Sequence, residues 1–256
     1  DLNNESATAK YISQAFNVYG KPTFTSFPST SPDETLGTAI AYDGLIRTTS
    51  TTRTSDNSQT TTQYLSGNQT AVTDGRGNTT LTKNLAYGSP SSEKATQIAA
   101  PDTDVISINY NELDQIVAIT QGSITENRLY NGYRDLCKVV RPDTGMAAFG
   151  YNNVGEMIWR AEGTSGSATS CDEASVPSAH RVALTYDNVG ALKTEDFPDS
   201  TPDRQYTYDN NGNLKSLTTG TASWQYQYNS LNLPQSETLS IDGRSFALTS
   251  GYDSLG

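Results

Sequence analysis

Two cysteines in 256 residues, Cys137 and Cys171, are too few for a disulfide framework. A single histidine, His180, has no neighbouring Ser or Cys motif to make it half of a nucleophile and base pair. Basic residues are scarce and scattered: 17 Lys and Arg stand against 28 Asp and Glu, for a net charge of −11, which argues against nucleic acid as a partner. No apolar run approaches the roughly 18 residues of a membrane span, and no signal peptide opens the chain. Large apolar side chains are also few. Six Phe and two Trp beside 15 Tyr point to semi-polar sheet faces instead of a greasy core.

What the chain does have is a period. Tyr followed by Asp or Asn, with Gly three residues on and Leu or Met two beyond that, is complete at Tyr151-Asn152-Asn153-Val154-Gly155-Glu156-Met157, Tyr186-Asp187-Asn188-Val189-Gly190-Ala191-Leu192 and Tyr208-Asp209-Asn210-Asn211-Gly212-Asn213-Leu214. Degenerate copies keep the register at Tyr42-Asp43, Tyr110-Asn111, Tyr130-Asn131 and Tyr228-Asn229, and Phe16-Asn17 opens the series. From Tyr110 the steps to Tyr130, Tyr151, Tyr186, Tyr208, Tyr228 and Tyr252 are 20, 21, 35, 22, 20 and 24 residues. Upstream, Tyr64 and Tyr87 fill the interval between Tyr42 and Tyr110 at the same spacing, though they keep little beyond the aromatic. A fixed period means an array, so function is to be sought in what the array builds.

The residues before each tyrosine alternate apolar and polar, as in Val182-Ala183-Leu184-Thr185-Tyr186 and Trp224-Gln225-Tyr226-Gln227-Tyr228, which reads as strand. Asp-x-x-Gly then supplies a turn: the carboxylate or amide accepts a local hydrogen bond and Gly takes positive φ without strain. A loop of that length sets Tyr186 opposite Leu192 and Tyr208 opposite Leu214. Pro101-Asp102, Pro142-Asp143 and Pro198-Asp199 mark a second turn in each repeat. The expected fold is all-β: consecutive antiparallel β-hairpin repeats of about 20–24 residues forming a long curled sheet, since open twisted sheets of more than about ten strands tend to curl or close.

The period runs through without a linker, so residues 1–256 read as a single array with one insertion, residues 160–181, expected as a surface excursion rich in Gly and Ser. The chain starts at Asp1 and ends inside a motif copy, Tyr252-Asp253-Ser254-Leu255-Gly256, as expected of a section of a longer polypeptide. Cys137 falls in a strand and Cys171 in the insertion; they read as two unrelated thiols, with a disulfide pinning the insertion to the sheet as the alternative. Asp209-Asn210-Asn211-Gly212-Asn213 alternates oxygen ligands but lacks the sixth-position Gly and twelfth-position Glu of an EF-hand loop. No cofactor or metal is expected, and with the motif carboxylates occupied in turns the chain reads as non-enzymatic.

Tyr-Asp-x-x-Gly-x-Leu at a period near twenty, with Pro-Asp turns between, resembles the YD repeats of the Rhs family over most of the chain, from about Phe16 to Gly256. That family includes bacterial Rhs and wall-associated proteins, the shell-forming components of insecticidal Tc toxin complexes, and the teneurins. The resemblance implies a section of a hollow β-shell from a secreted or cell-surface bacterial protein, with the remainder of its own polypeptide, including an enclosed C-terminal effector, as partner. The Asp-Pro-rich self-cleaving core of toxin-bearing members is absent, for the chain contains no Asp-Pro dipeptide. The alternative is a carbohydrate-binding module that stacks sugars on Trp159 and Trp224, against which stands ordinary packing of both rings on the sheet face. Asn4, Asn68 and Asn78 head N-glycosylation sequons, relevant only in a host that glycosylates secreted proteins.

Overall fold

The computed structural model describes residues 10–165 and 168–252. The Asn4 sequon, Gly166 and Ser167 of the insertion, and residues 253–256 of the last motif copy lie outside the described residues. The chain divides into two units, Asp1–Ile124 and Thr125–Gly256.

In the first unit the strands are β1 Gln14–Phe16, β2 Pro22–Ser26, β3 Gly37–Tyr42, β4 Thr48–Arg53, β5 Ser58–Leu65, β6 Gln69–Thr73, β7 Thr79–Leu85, β8 Ser91–Ala99, β9 Ile106–Tyr110 and β10 Ile116–Gln121. Each pairs antiparallel with the next. No large hydrophobic residue described in this unit is buried; Ser26 and Asn84 are. Cohesion comes instead from the ladders and from cross-strand threonines. Thr51 faces Thr60, Thr70 faces Thr82, and the Thr73 and Thr79 hydroxyls bond at 2.7 Å. Such pairs contribute roughly 0.2–1 kcal/mol each.

The second unit holds β11 Ile124–Tyr130, β12 Leu136–Arg141, β13 Gly145–Tyr151, β14 Met157–Thr164, β15 Val182–Tyr186, β16 Leu192–Asp196, β17 Arg204–Tyr208, β18 Leu214–Thr219, β19 Ala222–Tyr228, β20 Pro234–Ile241 and β21 Arg244–Thr249. These also pair antiparallel in chain order. The fold is therefore all-β, a succession of antiparallel hairpins. Among the described residues no helix is long and apolar enough to cross a membrane.

Apolar burial is concentrated on β12–β15, where Ala148, Trp159, Ala161 and Val176 form one cluster. Sequence patterning missed the reason. Residues 160–164 of the expected excursion are the end of β14, and residues 168–181 lie over the sheet, carrying single-turn 3-10 helices at Glu173–Ser175 and Ser178–His180. Val176, in this segment, is buried at 1% exposure and packs with Ala148, Trp159 and Ala161. The reading of two unrelated thiols is corrected as well: Cys137 and Cys171 are disulfide-bonded, with Cα atoms 5.6 Å apart. Leu129 pairs with Lys138 and Tyr130 with Leu136, so Cys137 is the extra residue of a bulge, left without a ladder partner and available to the segment above.

Candidate functional site

Among the described residues, the copies that keep Asp or Asn after the aromatic fold into the same loop. In the copy at Tyr186 the Asp187 Oδ1 accepts from the backbone N–H of Val189 and of Ala191, both at 2.9 Å. The Asp187 N–H donates to the Ala191 carbonyl, and the Gly190 N–H donates back to the Asp187 carbonyl. Asp43, Asn111, Asn131, Asn152, Asp209 and Asn229 repeat this pattern through Oδ1, as does Asn17. One side-chain oxygen three bonds from Cα satisfies both amides, so Asp and Asn interchange. Gly155, Gly190 and Gly212 hold φ of 85°, 82° and 84°, and Ile46, Asp114, Arg134 and Asn232 take the same left-handed position with side chains attached.

The register follows. Tyr186 stands opposite Leu192, Tyr208 opposite Leu214, Tyr151 opposite Met157, Tyr130 opposite Leu136, Tyr110 opposite Ile116, Tyr42 opposite Thr48 and Tyr228 opposite Pro234. Just inside each of these pairs the register slips by one residue, which bends the second strand away from the neighbour it meets next. The ladder to that neighbour stops short, and the carbonyl of the seventh motif residue, the Leu or Met position, would be left without a partner.

The next tyrosine supplies the partner. Tyr42 donates its hydroxyl to the carbonyl of Pro22, Tyr151 to Leu136, Tyr186 to Met157, Tyr208 to Leu192 and Tyr228 to Leu214, all at 2.8–3.0 Å. Tyr110 does the same to Ala95 at 3.0 Å and Tyr252 to Pro234 at 2.6 Å. The offset is constant. Where residue k on one strand pairs with m on the next, the tyrosine at m+3 reaches the carbonyl at k−2, as with Thr194 and Gln205 beside Leu192 and Tyr208. Burial, joined by the nearby Asp135, Glu156 and Asp187 charges respectively, raises the pKa of Tyr151, Tyr186 and Tyr208, which keeps each hydroxyl protonated as a donor.

Two upstream placements change. Tyr64 clamps the Thr48 carbonyl at 3.0 Å and stacks beneath Arg47 at 4.0 Å, but no Asp loop follows it. Tyr87 is 88% exposed and clamps nothing. The missing loop is Thr73-Asp74-Gly75-Arg76-Gly77-Asn78-Thr79, with Asp74 Oδ1 accepting from Arg76 and Asn78. It follows an even-numbered strand, β6, and so sits on the opposite edge from the loops that follow β1, β3 and β9 in the same unit. A search keyed on Tyr passed over it; Asp-x-x-Gly alone would have found it.

The covered face of β12–β14 is the other constructed feature. The indole of Trp159 lies at 6% exposure under the Arg181 guanidinium, 4.1 Å from its centre, and donates through Nε1 to Glu173 Oε2 at 3.3 Å. That ring is closed to a sugar. Trp224 is half-buried between Leu217 and Leu239 on adjacent strands. Lys138 is 1% exposed and its Nζ donates to the Asp172 carbonyl and Ser175 Oγ; burial pushes its pKa down. Nearby, buried Glu195 joins three strands by accepting from Arg160 at 3.0 Å, Arg204 at 3.2 Å and Tyr206 at 2.7 Å. Burial would raise the Glu195 pKa, but Tyr206 and the two guanidinium groups outweigh it and leave it lowered. His180 Nδ1 sits 3.1 Å from Thr164 Oγ1, an ordinary structural contact. Among the described residues no three His, Cys, Asp or Glu side chains gather as a metal site.

Loop, bulge and clamp together define a tyrosine-clamped β-hairpin repeat protein. Searches find no protein family and no curated protein that matches the sequence. Among solved structures, the chain is similar to the Tc holotoxin pore of Photorhabdus luminescens in a TccC3 mutant form, at 10% identity and a TM-score of 0.46, covering 93% of this chain and 16% of that one. It is similar to TcdB2-TccC3 without the hypervariable C-terminal region at 10% identity and TM-score 0.44, covering 92% and 16%. A porin-like protein from Bacteroides uniformis matches at 14% identity and TM-score 0.31, covering 94% and 96%. The chain thus spans a small part of the first two.

Proposed function

We propose that this chain is a non-enzymatic, structural section of an Rhs-type YD-repeat shell belonging to a secreted or cell-surface bacterial protein, one face of which encloses an effector carried by the same polypeptide. The observation that supports this reading is the constant-offset clamp. Each clamping tyrosine ties its strand to the preceding one at the point where the ladder fails, so the sheet extends by the same step again and again and needs no thick core. That is the physics of a wall. Buried apolar side chains gather on β12–β15 and in the segment that covers them, and among the described residues no nucleophile, base or paired acids converge in a cleft.

Cryo-electron microscopy of the secreted polypeptide that carries this sequence tests the proposal. Expected is a hollow body with these strands in its wall and density inside. Strands forming a free-standing domain with no enclosed volume would overturn it. The glycan alternative has lost Trp159 and keeps Trp224; saturable binding on a glycan array, abolished by Trp224→Ala, would restore it.

A further inference from the structure

We propose that residues 168–181 form a redox-sensitive strap, locked by the Cys137–Cys171 disulfide over an apolar patch of the sheet and released when that bond is reduced.

The contacts of the strap divide unevenly. Its buried apolar anchorage is a single side chain, Val176, at 1% exposure, and its remaining described residues are half-buried or exposed. The polar ties include Lys138 to the Asp172 carbonyl and Ser175 Oγ, Glu173 to the Trp159 indole, His180 Nδ1 to Thr164 Oγ1, and Arg181 stacked on that indole. Each of these groups can be satisfied by water once the strap lifts. The covalent bond cannot, and it closes a separation of 34 residues, a loop whose closure strongly restricts the released state. What lies beneath is built to be covered: Ala148 and Ala161 face each other, and Gly150 faces Trp159 with no side chain of its own. A Cβ on Gly150 would stand 1.9 Å from the Trp159 Nε1, so the glycine seats the ring. Lifting the strap uncovers that ring and its alanine floor.

The chemistry is thiol–disulfide exchange with a dithiol. A thiolate of the reagent attacks Sγ of Cys171, the half-buried partner, and Cys137, 4% exposed, departs as the leaving thiolate. The reagent's second thiol then displaces Cys171 from the mixed disulfide and closes the reagent's own S–S bond. Two electrons pass to the protein, and two protons end on Cys137 and Cys171. In oxidising surroundings the patch stays covered; in reducing ones it is presented.

The test uses the full chain carrying Trp224→Phe, so that Trp159 reports alone, with dithiothreitol as the probe. On reduction, Trp159 emission moves to longer wavelength and tryptic cleavage after Arg181 speeds up by at least about tenfold, because losing half of a typical disulfide contribution multiplies the open population by that factor. Far-ultraviolet circular dichroism stays that of a β-sheet, and reoxidation reverses both changes. Cys171→Ser shows the open signature without reductant and does not respond to it. Emission and cleavage unchanged by reduction would overturn the proposal. So would collapse of the whole β-sheet signal, which would make the bond a global staple.

Discussion

The Tyr208 hydroxyl donates to the Leu192 carbonyl across 2.9 Å, two residues beyond the last paired position of β16 with β17. The bond explains why the motif wants tyrosine where phenylalanine would pack equally well. Tyr208→Phe keeps the ring opposite Leu214 and strands the Leu192 carbonyl at a half-buried strand end. The expected loss is about 1 kcal/mol, the usual net worth of such a hydrogen bond, read from urea unfolding. Hydrogen exchange at the β16–β17 amides should quicken as well. Tyr87→Phe, at an 88% exposed ring, is the comparison and should change nothing. Equal stability of the two variants would remove the clamp from the account of the fold.

The strand order, the loops and the Tyr-to-Leu register were legible because period two and Asp-x-x-Gly are local signals. The Tyr151–Met157 and Tyr186–Leu192 pairs follow from loop length alone. The clamp was not legible. Its acceptor is a backbone carbonyl one repeat away, which carries no side-chain signature, and the bulge that frees it leaves no mark in composition. The strap was hidden for a different reason: Gly- and Ser-rich sequence reads as solvated loop, and one valine and one cysteine decide that it folds back. Tyr87 misled because its spacing to Tyr110 was right while the Asp loop of that stretch lies upstream of it, at Asp74 after β6.

Acid should weaken the loops. The Asp74 and Asp209 pKa values are lowered, first by the Asn78 and Asn213 side-chain amides and then also by backbone N–H groups, and that of Asp43 is lowered first by the Arg47 N–H. A carboxylate depressed in the folded state contributes stability fully above its unfolded pKa of about 4 and loses it as pH falls through the folded value. Stability is therefore expected to drop below about pH 4. Asp74→Asn with Asp209→Asn keeps the Oδ1 acceptor, as at Asn152 and Asn229, and should cost little at pH 7 while flattening the acid limb. Urea midpoints at neutral and acidic pH decide it; an acid loss as steep in the double variant as in the parent would place the titrating groups elsewhere.

Glu195 sits at 6% exposure with three donors, and its removal should be costlier than its place on a thin sheet suggests. Glu195→Gln leaves Arg160 and Arg204 beside a neutral amide across β14, β16 and β17. Breaking a well-buried pair in this way typically costs about 3–5 kcal/mol; with both guanidinium groups partly solvated, at 37% and 44% side-chain exposure, about 1–2 kcal/mol is expected here. Thermal unfolding of the variant checks the direction, and an unchanged midpoint would show that water already shares the contacts.

Ile46 holds φ of 63° at the position that Gly190 occupies with φ of 82°. Both loops close with the same hydrogen bonds, so the pair isolates the backbone term. A β-branched residue in left-handed conformation costs roughly 1–3 kcal/mol, and Ile46 recovers part of that by half-burying its side chain. Ile46→Gly should therefore stabilise by about 0.5–1 kcal/mol. Gly190→Val should destabilise by about 1–3 kcal/mol, although there is room for its Cβ, whose nearest neighbour would be Glu156 Oε1 at 3.6 Å. Opposite signs from one urea titration of each variant are the signature of a shared left-handed turn. A destabilised Ile46→Gly would mean that the isoleucine side chain holds the loop and that its backbone strain is small.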